Sequence, residues 1–205
     1  MEIEVKNSTK IENYTETMTI LEKRVLDVFT GKKRELLWLL EYDNIYTAGT
    51  SSLENEVIDK KIKIIRTNRG GKITYHGPGQ KIVYFVLNLN KRSKDIKQLI
   101  NKLENCIINV LQEYKLHSYR DSKNIGIWIG KKNDSKKIAA IGIKVKKWIA
   151  YHGFSLNINN DLTKYEKIIP CGNNNKKITS LKEEGIININ NIDNIIIKSF
   201  LDTFH

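Results

Sequence analysis

Two cysteines and two prolines are all that this sequence of 205 residues contains. Two thiols, Cys106 and Cys171, are too few for a disulfide scaffold, so the chain is expected to rely on a hydrophobic core in a reducing, cytoplasmic compartment. No apolar run is long enough to span a bilayer. The first residues, Met1-Glu2-Ile3-Glu4-Val5, carry acids and no arginine. They lack the basic and apolar regions of a secretory leader, and nothing in them suggests a transit peptide. Aromatic residues make up only 8% of the chain. With no nucleic-acid motif beside them, they weigh against a basic nucleic-acid-binding protein. Acidic residues are outnumbered, 23 against 35 Lys and Arg, for a formal charge of +12. That excess suits acidic partners, although the Asn-Ile tract Gly185–Ile197 shows that compositional bias contributes to it.

What the chain does have is patterning. Tyr14, Met18, Leu21, Val25 and Val28 fall at helical spacing and predict an amphipathic helix over Glu12–Thr30, ended by Gly31. Ile96, Leu99, Ile100, Leu103, Ile107 and Leu111 form the inward stripe of a second helix, Asp95–Tyr114. Cys106 lies within it and reads as a small buried apolar residue. Glu35–Glu41 is an apolar run of strand length leading to a small polar loop, Thr47–Ser52. Lys61–Arg66, Lys81–Leu89, Ile125–Ile129, Lys137–Ile143 and Lys147–Asn157 read as further strands, with a hairpin-like turn at Gly130–Lys136. Asp161 is a plausible N-cap for a short helix over Leu162–Tyr165, and Asp193–His205 reads as a closing helix. There is no linker or repeat, so residues 1–205 are expected to form one α+β domain around a mixed or antiparallel sheet.

The chemistry concentrates in three places. Arg69–Gln80, R-G-G-K-I-T-Y-H-G-P-G-Q, holds four of the twelve glycines and one of the two prolines. Such a segment allows close approach to its backbone and reads as a binding loop at the rim of a sheet. The other proline precedes Cys171 in Ile169-Pro170-Cys171-Gly172, where no bulky neighbour crowds the sulfur. A thiol needs a base or a cation to become a nucleophile near neutral pH. Lys137, followed by small and apolar residues, is a candidate for either role, and the alternative for each residue is an inert cysteine and a solvated lysine.

These segments together resemble the lipoyl(octanoyl) transferases, octanoyl-[acyl-carrier-protein]:protein N-octanoyltransferases. The likeness runs in order through Tyr46–Ser51, Arg69–Gln80, Lys137–Ile143, Tyr151–Asn157, Ile169–Gly172 and Ile178–Leu181, and so covers nearly the whole chain. The Asn-rich tract after Cys171 departs from the usual sequence there. The resemblance implies a fold shared with biotin protein ligases and lipoate ligases. It implies a Cys171 thioester with Lys137 as the adjacent cation or base. Substrate binding falls to Arg69, Gly70, Gly71, Lys72, Ile73, Thr74, Tyr75 and His76, to Ala140, Ile141 and Gly142, and to Gly153, Phe154 and Ser155. Tyr75, Ile141 and Phe154 are candidates to line an acyl channel. The implied donor is octanoyl-acyl carrier protein. The implied acceptors are lipoyl domains of 2-oxoacid dehydrogenase E2 subunits and the glycine cleavage H protein. No metal or nucleotide cofactor is expected, nor a nucleic acid or membrane partner. A ligase on the same fold, activating a free acid with ATP, is the competing reading.

Overall fold

The structure is a computed structural model that describes residues 2–131, 134–170 and 177–204. In chain order its elements are β1 (Ile3–Glu12), α1 (Tyr14–Phe29), β2 (Glu35–Tyr42), β3 (Ile45–Ala48), β4 (Ile64–Arg66), β5 (Ile73–His76), β6 (Gln80–Asn88), α2 (Ile96–Glu113), β7 (Tyr119–Arg120), β8 (Ile127–Ile129), β9 (Lys136–Lys146), β10 (Ile149–Asn157), β11 (Lys177–Ile178) and α3 (Ile192–Phe204). Short 3-10 turns cover Glu54–Glu56, Leu89–Lys91 and Leu162–Lys167.

The large sheet runs in the order β1-β2-β6-β10-β9-β8-β7, with β11 alongside β9. Its centre is antiparallel, while β1 lies parallel to β2 and β11 parallel to β9. The expected mixed α+β architecture is therefore the one observed. β6 and β10 are buried along their whole length, which is why both read as apolar runs rather than as alternations. Leu37, Leu39, Val83, Phe85, Leu87 and Leu156 face α2 and α3. Leu36, Trp38, Leu40, Ile82, Tyr84 and Val86 face α1. A smaller sheet, β4-β3-β5, carries its own cluster of Tyr46, Ile73, Tyr75, Tyr165 and Ile168.

Several expectations need correction. Arg69–Gln80 is not one loop: Ile73–His76 forms β5, antiparallel to β3, because Ile73 and Tyr75 alternate into the small cluster. Thr47 and Ala48, read as loop, belong to β3. The strand expected over Lys61–Arg66 spans only Ile64–Arg66. β1 had no apolar signal because most of its residues are exposed; the ladder with β2 holds it, and the Lys6 ammonium sits 3.6 Å over the Trp38 ring. Ile96 is exposed at the start of α2. The helix after Asp161 is 3-10, capped as expected by the Asp161 carboxylate accepting from Thr163 N–H at 3.0 Å.

A local irregularity matters later. β8 pairs with β9 through Ile127↔Ala139 and then Trp128↔Lys137, so Ile138 is an extra residue on β9. On the far side, β11 pins the same segment, with Lys177 opposite Lys136 and Ile178 opposite Lys137.

Buried Glu35 joins three elements. Its carboxylate accepts from Asn88 N–H at 2.6 Å and from Arg92 Nη2 at 2.7 Å, and Arg92 also donates to the carbonyl of Phe204 in α3. Removing one member of such a group strands the others without water. Glu35→Ala is expected to lower unfolding free energy by about 3 kcal/mol. The Glu35→Ala/Arg92→Ala double variant should lose much less than the sum of the singles; urea titration measures both.

Candidate active site

The two sheets enclose a cavity of about 490 Å³, within the roughly 300–1,000 Å³ typical of small-molecule pockets. Three walls come from the three groups of residues that the resemblance assigns to substrate binding. Arg69 to Thr74 and His76 form one side. Lys137 and Ala139–Ile143 of β9 form another, and Gly153, Phe154 and Ser155 of β10 the floor. Ile82, Tyr84 and Ile100 add apolar surface. Pro170 and Ile178, which flank residues 171–176 in the chain, both line the cavity. Cys171 lies outside the described residues.

Tyr75 is the one expected binding residue that faces elsewhere. Strand alternation sends Thr74 and His76 into the cavity and turns Tyr75 into the small cluster, where its hydroxyl donates to Asn44 Oδ1 at 2.7 Å.

The floor requires glycine. At Gly153 a Cβ would lie 1.9 Å from the carbonyl oxygen of Val83. At Gly49 it would lie 2.2 Å from the carbonyl oxygen of Gly71 and 2.8 Å from Arg69 Nη1. Bare backbone at Gly49 thus lets the turn of the glycine segment close over β3. Arg69 fills the space: Nη2 donates to Thr47 O at 2.9 Å and Thr47 Oγ1 at 2.8 Å, and Nη1 donates to Gly70 O. Burial pulls its pKa down from the usual arginine value. No carboxylate among the described residues forms an ion pair with it.

Behind the cavity lies a buried polar network. Gln80 Nε2 donates to Asn157 Oδ1 and to the Tyr165 hydroxyl oxygen, both at 2.8 Å. This leaves Gln80 Oε1 to accept from His76 Nδ1 at 2.6 Å, which fixes the tautomer of the histidine. Asn157 Nδ2 in turn donates to the carbonyl of Thr179.

Lys137 is only 6% exposed. Its Nζ donates to the carbonyl of Ile125 at 2.9 Å and lies 4.7 Å from the centre of the Trp128 ring. Its neighbour Lys136 points outward and pairs with Glu184 at 2.7 Å. Glu104, which no motif singles out, is a buried carboxylate on α2 that accepts from Gly126 N–H at 3.5 Å. An acid on the stripe of Ile100, Ile107 and Leu111 was the available signal. Cys106, in contrast, is fully buried as expected, and burial pushes its thiol up to about 11. A second, more open depression of about 600 Å³ surrounds Lys81. Its ammonium is already paired with Glu41 and Asp193, both at 3.1 Å, and the glycine segment touches the depression through Gly79, away from the residues that line the first cavity.

Two buried histidines make the fold acid-sensitive. His76 is lowered to about 4 by burial and then by Arg69; His152, left-handed at φ 67° and stacked on Tyr151, is lowered to about 3 by burial, Arg69 and Lys144. Both values lie below the usual 6.5. Below pH 6.5 the unfolded chain therefore takes up protons that the folded chain refuses, and stability falls as pH drops from 6.5 towards 4. Each histidine should remove about 2 kcal/mol by pH ~5. Urea titrations between pH ~7 and ~5 should show the loss, and His152→Gln should roughly halve it.

Comparison with known proteins agrees with this geometry. An octanoyltransferase from Wolbachia sp. subsp. Brugia malayi (strain TRS) is 42% identical over 199 residues, spanning 96% of this chain and 97% of that protein. The crystal structure of lipoate-protein ligase A bound with ATP shares the fold, with a TM-score of 0.77 at 17% identity over 100% of this chain and 86% of that one. The biotin acetyl coenzyme A carboxylase synthetase from Helicobacter pylori is more distant, with a TM-score of 0.51 at 14% identity over 98% and 72% of the two chains. Residues 13–201 match the family described as the lipoyl protein ligase A/B catalytic domain, and with the near-full-length relative this shows that the chain belongs to that family.

Proposed function

We propose that the protein is an octanoyltransferase of protein lipoylation. In this reading it moves an octanoyl group from octanoyl-acyl carrier protein to a lysine of an acceptor lipoyl domain, through a thioester on Cys171. One observation carries the reading: the cavity that holds the buried Lys137 ammonium is also lined by Pro170, the residue covalently joined to Cys171.

The chemistry proceeds in two exchanges. The Cys171 thiolate attacks the carbonyl carbon of the donor thioester, the carbonyl re-forms, and the carrier's thiol leaves with a proton. Thioester replaces thioester, so little free energy is lost. An acceptor lysine amine then attacks the acyl-enzyme; the carbon–sulfur bond breaks, an amide forms, and Cys171 is freed. Lys137 favours the thiolate electrostatically in the first exchange. In the second, once neutral, it takes a proton from the incoming amine. β8 ends opposite Ala139, so β9 has no strand partner on that edge from Ala140 to Gly142 among the described residues. Backbone N–H groups there suit the role of oxyanion donors in both exchanges. Ile82, Ile141 and Phe154 offer apolar surface to the chain of the substrate. Lipoyl domains of 2-oxoacid dehydrogenases and of the glycine cleavage system are the acceptors that fit this reading. Acyl carrier proteins and lipoyl domains are typically acidic, and the +12 charge suits docking to them in a cytoplasmic setting.

Incubation with octanoyl-acyl carrier protein, without ATP, should add the mass of one octanoyl group to Cys171, and Cys171→Ser should abolish it. A strict need for ATP would replace this reading with a ligase; an adduct on Cys106 would refute the mechanism. Lys137→Ala should leave the fold intact and reduce transfer at least about tenfold at pH ~7, the effect of a thiol pKa raised by one unit.

A further inference from the structure

Among the described residues, one peptide unit backs the Lys137 ammonium. The carbonyl of Ile125 accepts from its Nζ at 2.9 Å, and the N–H of the same peptide, carried by Gly126, donates to Glu104 Oε1 at 3.5 Å. A trans peptide points its C=O and N–H in opposite directions. The negative end of this dipole therefore faces an ammonium and its positive end a carboxylate. Both charges are buried, where such polarisation is stronger than in water.

The loop carrying that peptide is braced independently. Asp121 accepts from Lys123 N–H at 2.9 Å and from Asn124 Nδ2 at 2.6 Å, and the Asn124 carbonyl accepts from Trp128 Nε1 at 2.8 Å. The Trp128 ring then covers one side of the ammonium. Gly126 adopts φ +126°, and a Cβ there would lie 2.6 Å from the carbonyl oxygen of Ala139, 3.1 Å from Lys137 Cε and 3.2 Å from Nζ. A side chain at this position would collide with the Ala139 carbonyl and press on the end of the Lys137 side chain, displacing the ammonium from its observed position.

We propose that Glu104 and Gly126 are positioning residues for the Lys137 ammonium, acting through the peptide that joins Ile125 to Gly126. The inference rests on the role given to Lys137 above. Glu104 supplies the counter-charge at the far end of the peptide; Gly126 supplies the space. Among the described residues the other charged groups near this arrangement are Arg120 of β7, which acts on Glu104, Lys123 of the loop, which lines the cavity, and Asp121, whose carboxylate accepts from Lys123 N–H and Asn124 Nδ2. Of the two carboxylates, Glu104 is the one that accepts from Gly126 N–H.

The test is the pH dependence of iodoacetamide alkylation of Cys171 in the intact protein. Cys106 is fully buried with its thiol near 11, so Cys171 carries the signal near neutral pH. Peptide mapping confirms the modified residue, and a circular-dichroism melt checks the fold. Lys137→Ala should move the alkylation midpoint up by about one pH unit. Glu104→Gln, which keeps the acceptor for Gly126 N–H but loses the charge, should move it part of the way. Gly126→Ala should move it nearly as far as Lys137→Ala. In a Lys137→Ala background neither substitution should shift it further, an outcome that general loosening of the fold does not produce. If Lys137→Ala shifts the midpoint while Glu104→Gln leaves it at the wild-type value, the positioning role is overturned and the role of Lys137 stands. If Lys137→Ala itself shifts nothing, both fall. Should Gly126→Ala not fold, Glu104→Gln decides alone.

Discussion

The carboxamide of Gln80 is the interaction on which the arrangement depends. It sits at the first residue of β6 and directly reaches His76 at the end of β5, Asn157 at the end of β10 and Tyr165 in the 3-10 turn. Asn157 passes the connection to Thr179, beside β11. Each of these polar groups is buried, so each must find a partner or carry a large desolvation penalty. One amide therefore sets the small sheet against the large one and aligns the segments that flank Cys171 with the wall that carries Lys137. The Gly77-Pro78-Gly79 turn makes this geometry reachable: Gly79 N–H donates to Glu41 at 2.9 Å, and its carbonyl accepts from Ile158 and Asn159.

Around this fixed frame the cavity is defined as much by missing side chains as by present ones. Backbone approaches backbone at Gly49 and Gly153. Among the described residues, the cations Arg69 and Lys137 meet carbonyl oxygens, a hydroxyl and an aromatic face. Carbonyl dipoles stabilise a cation without neutralising it, so its field remains available to an anion in the cavity.

Much of this was legible in the sequence. β2, β6 and β10, buried on both faces, announce themselves as apolar runs, and α1 and α2 by their periodic stripes. The glycine segment and Lys137 stood out by composition and by their neighbours, and the structure brings both to one cavity. β1 was hidden because its ladder, not its side chains, keeps it in place. β5 was hidden because four residues between glycines are too few to show a period. Tyr75 illustrates a different limit: a motif says which residues travel together, but alternation within β5 decides which of them reach the ligand side. Glu104 was missed because its meaning comes from a backbone peptide distant in the chain, which no spacing rule encodes.

The extra residue on β9 has a consequence beyond local shape. Two adjacent lysines leave this strand in opposite senses, Lys136 to a surface ion pair and Lys137 into the interior. Sliding the strand by one position would exchange them, leaving a chemically complete chain with the wrong amine indoors. The bulge opposite Ile127, the short β11 ladder and the Gly142↔Gly153 pairing all oppose that slide. Strand registration here thus selects between two identical functional groups, and a misregistered molecule would hold the same atoms with Lys136 in place of Lys137 at the cavity.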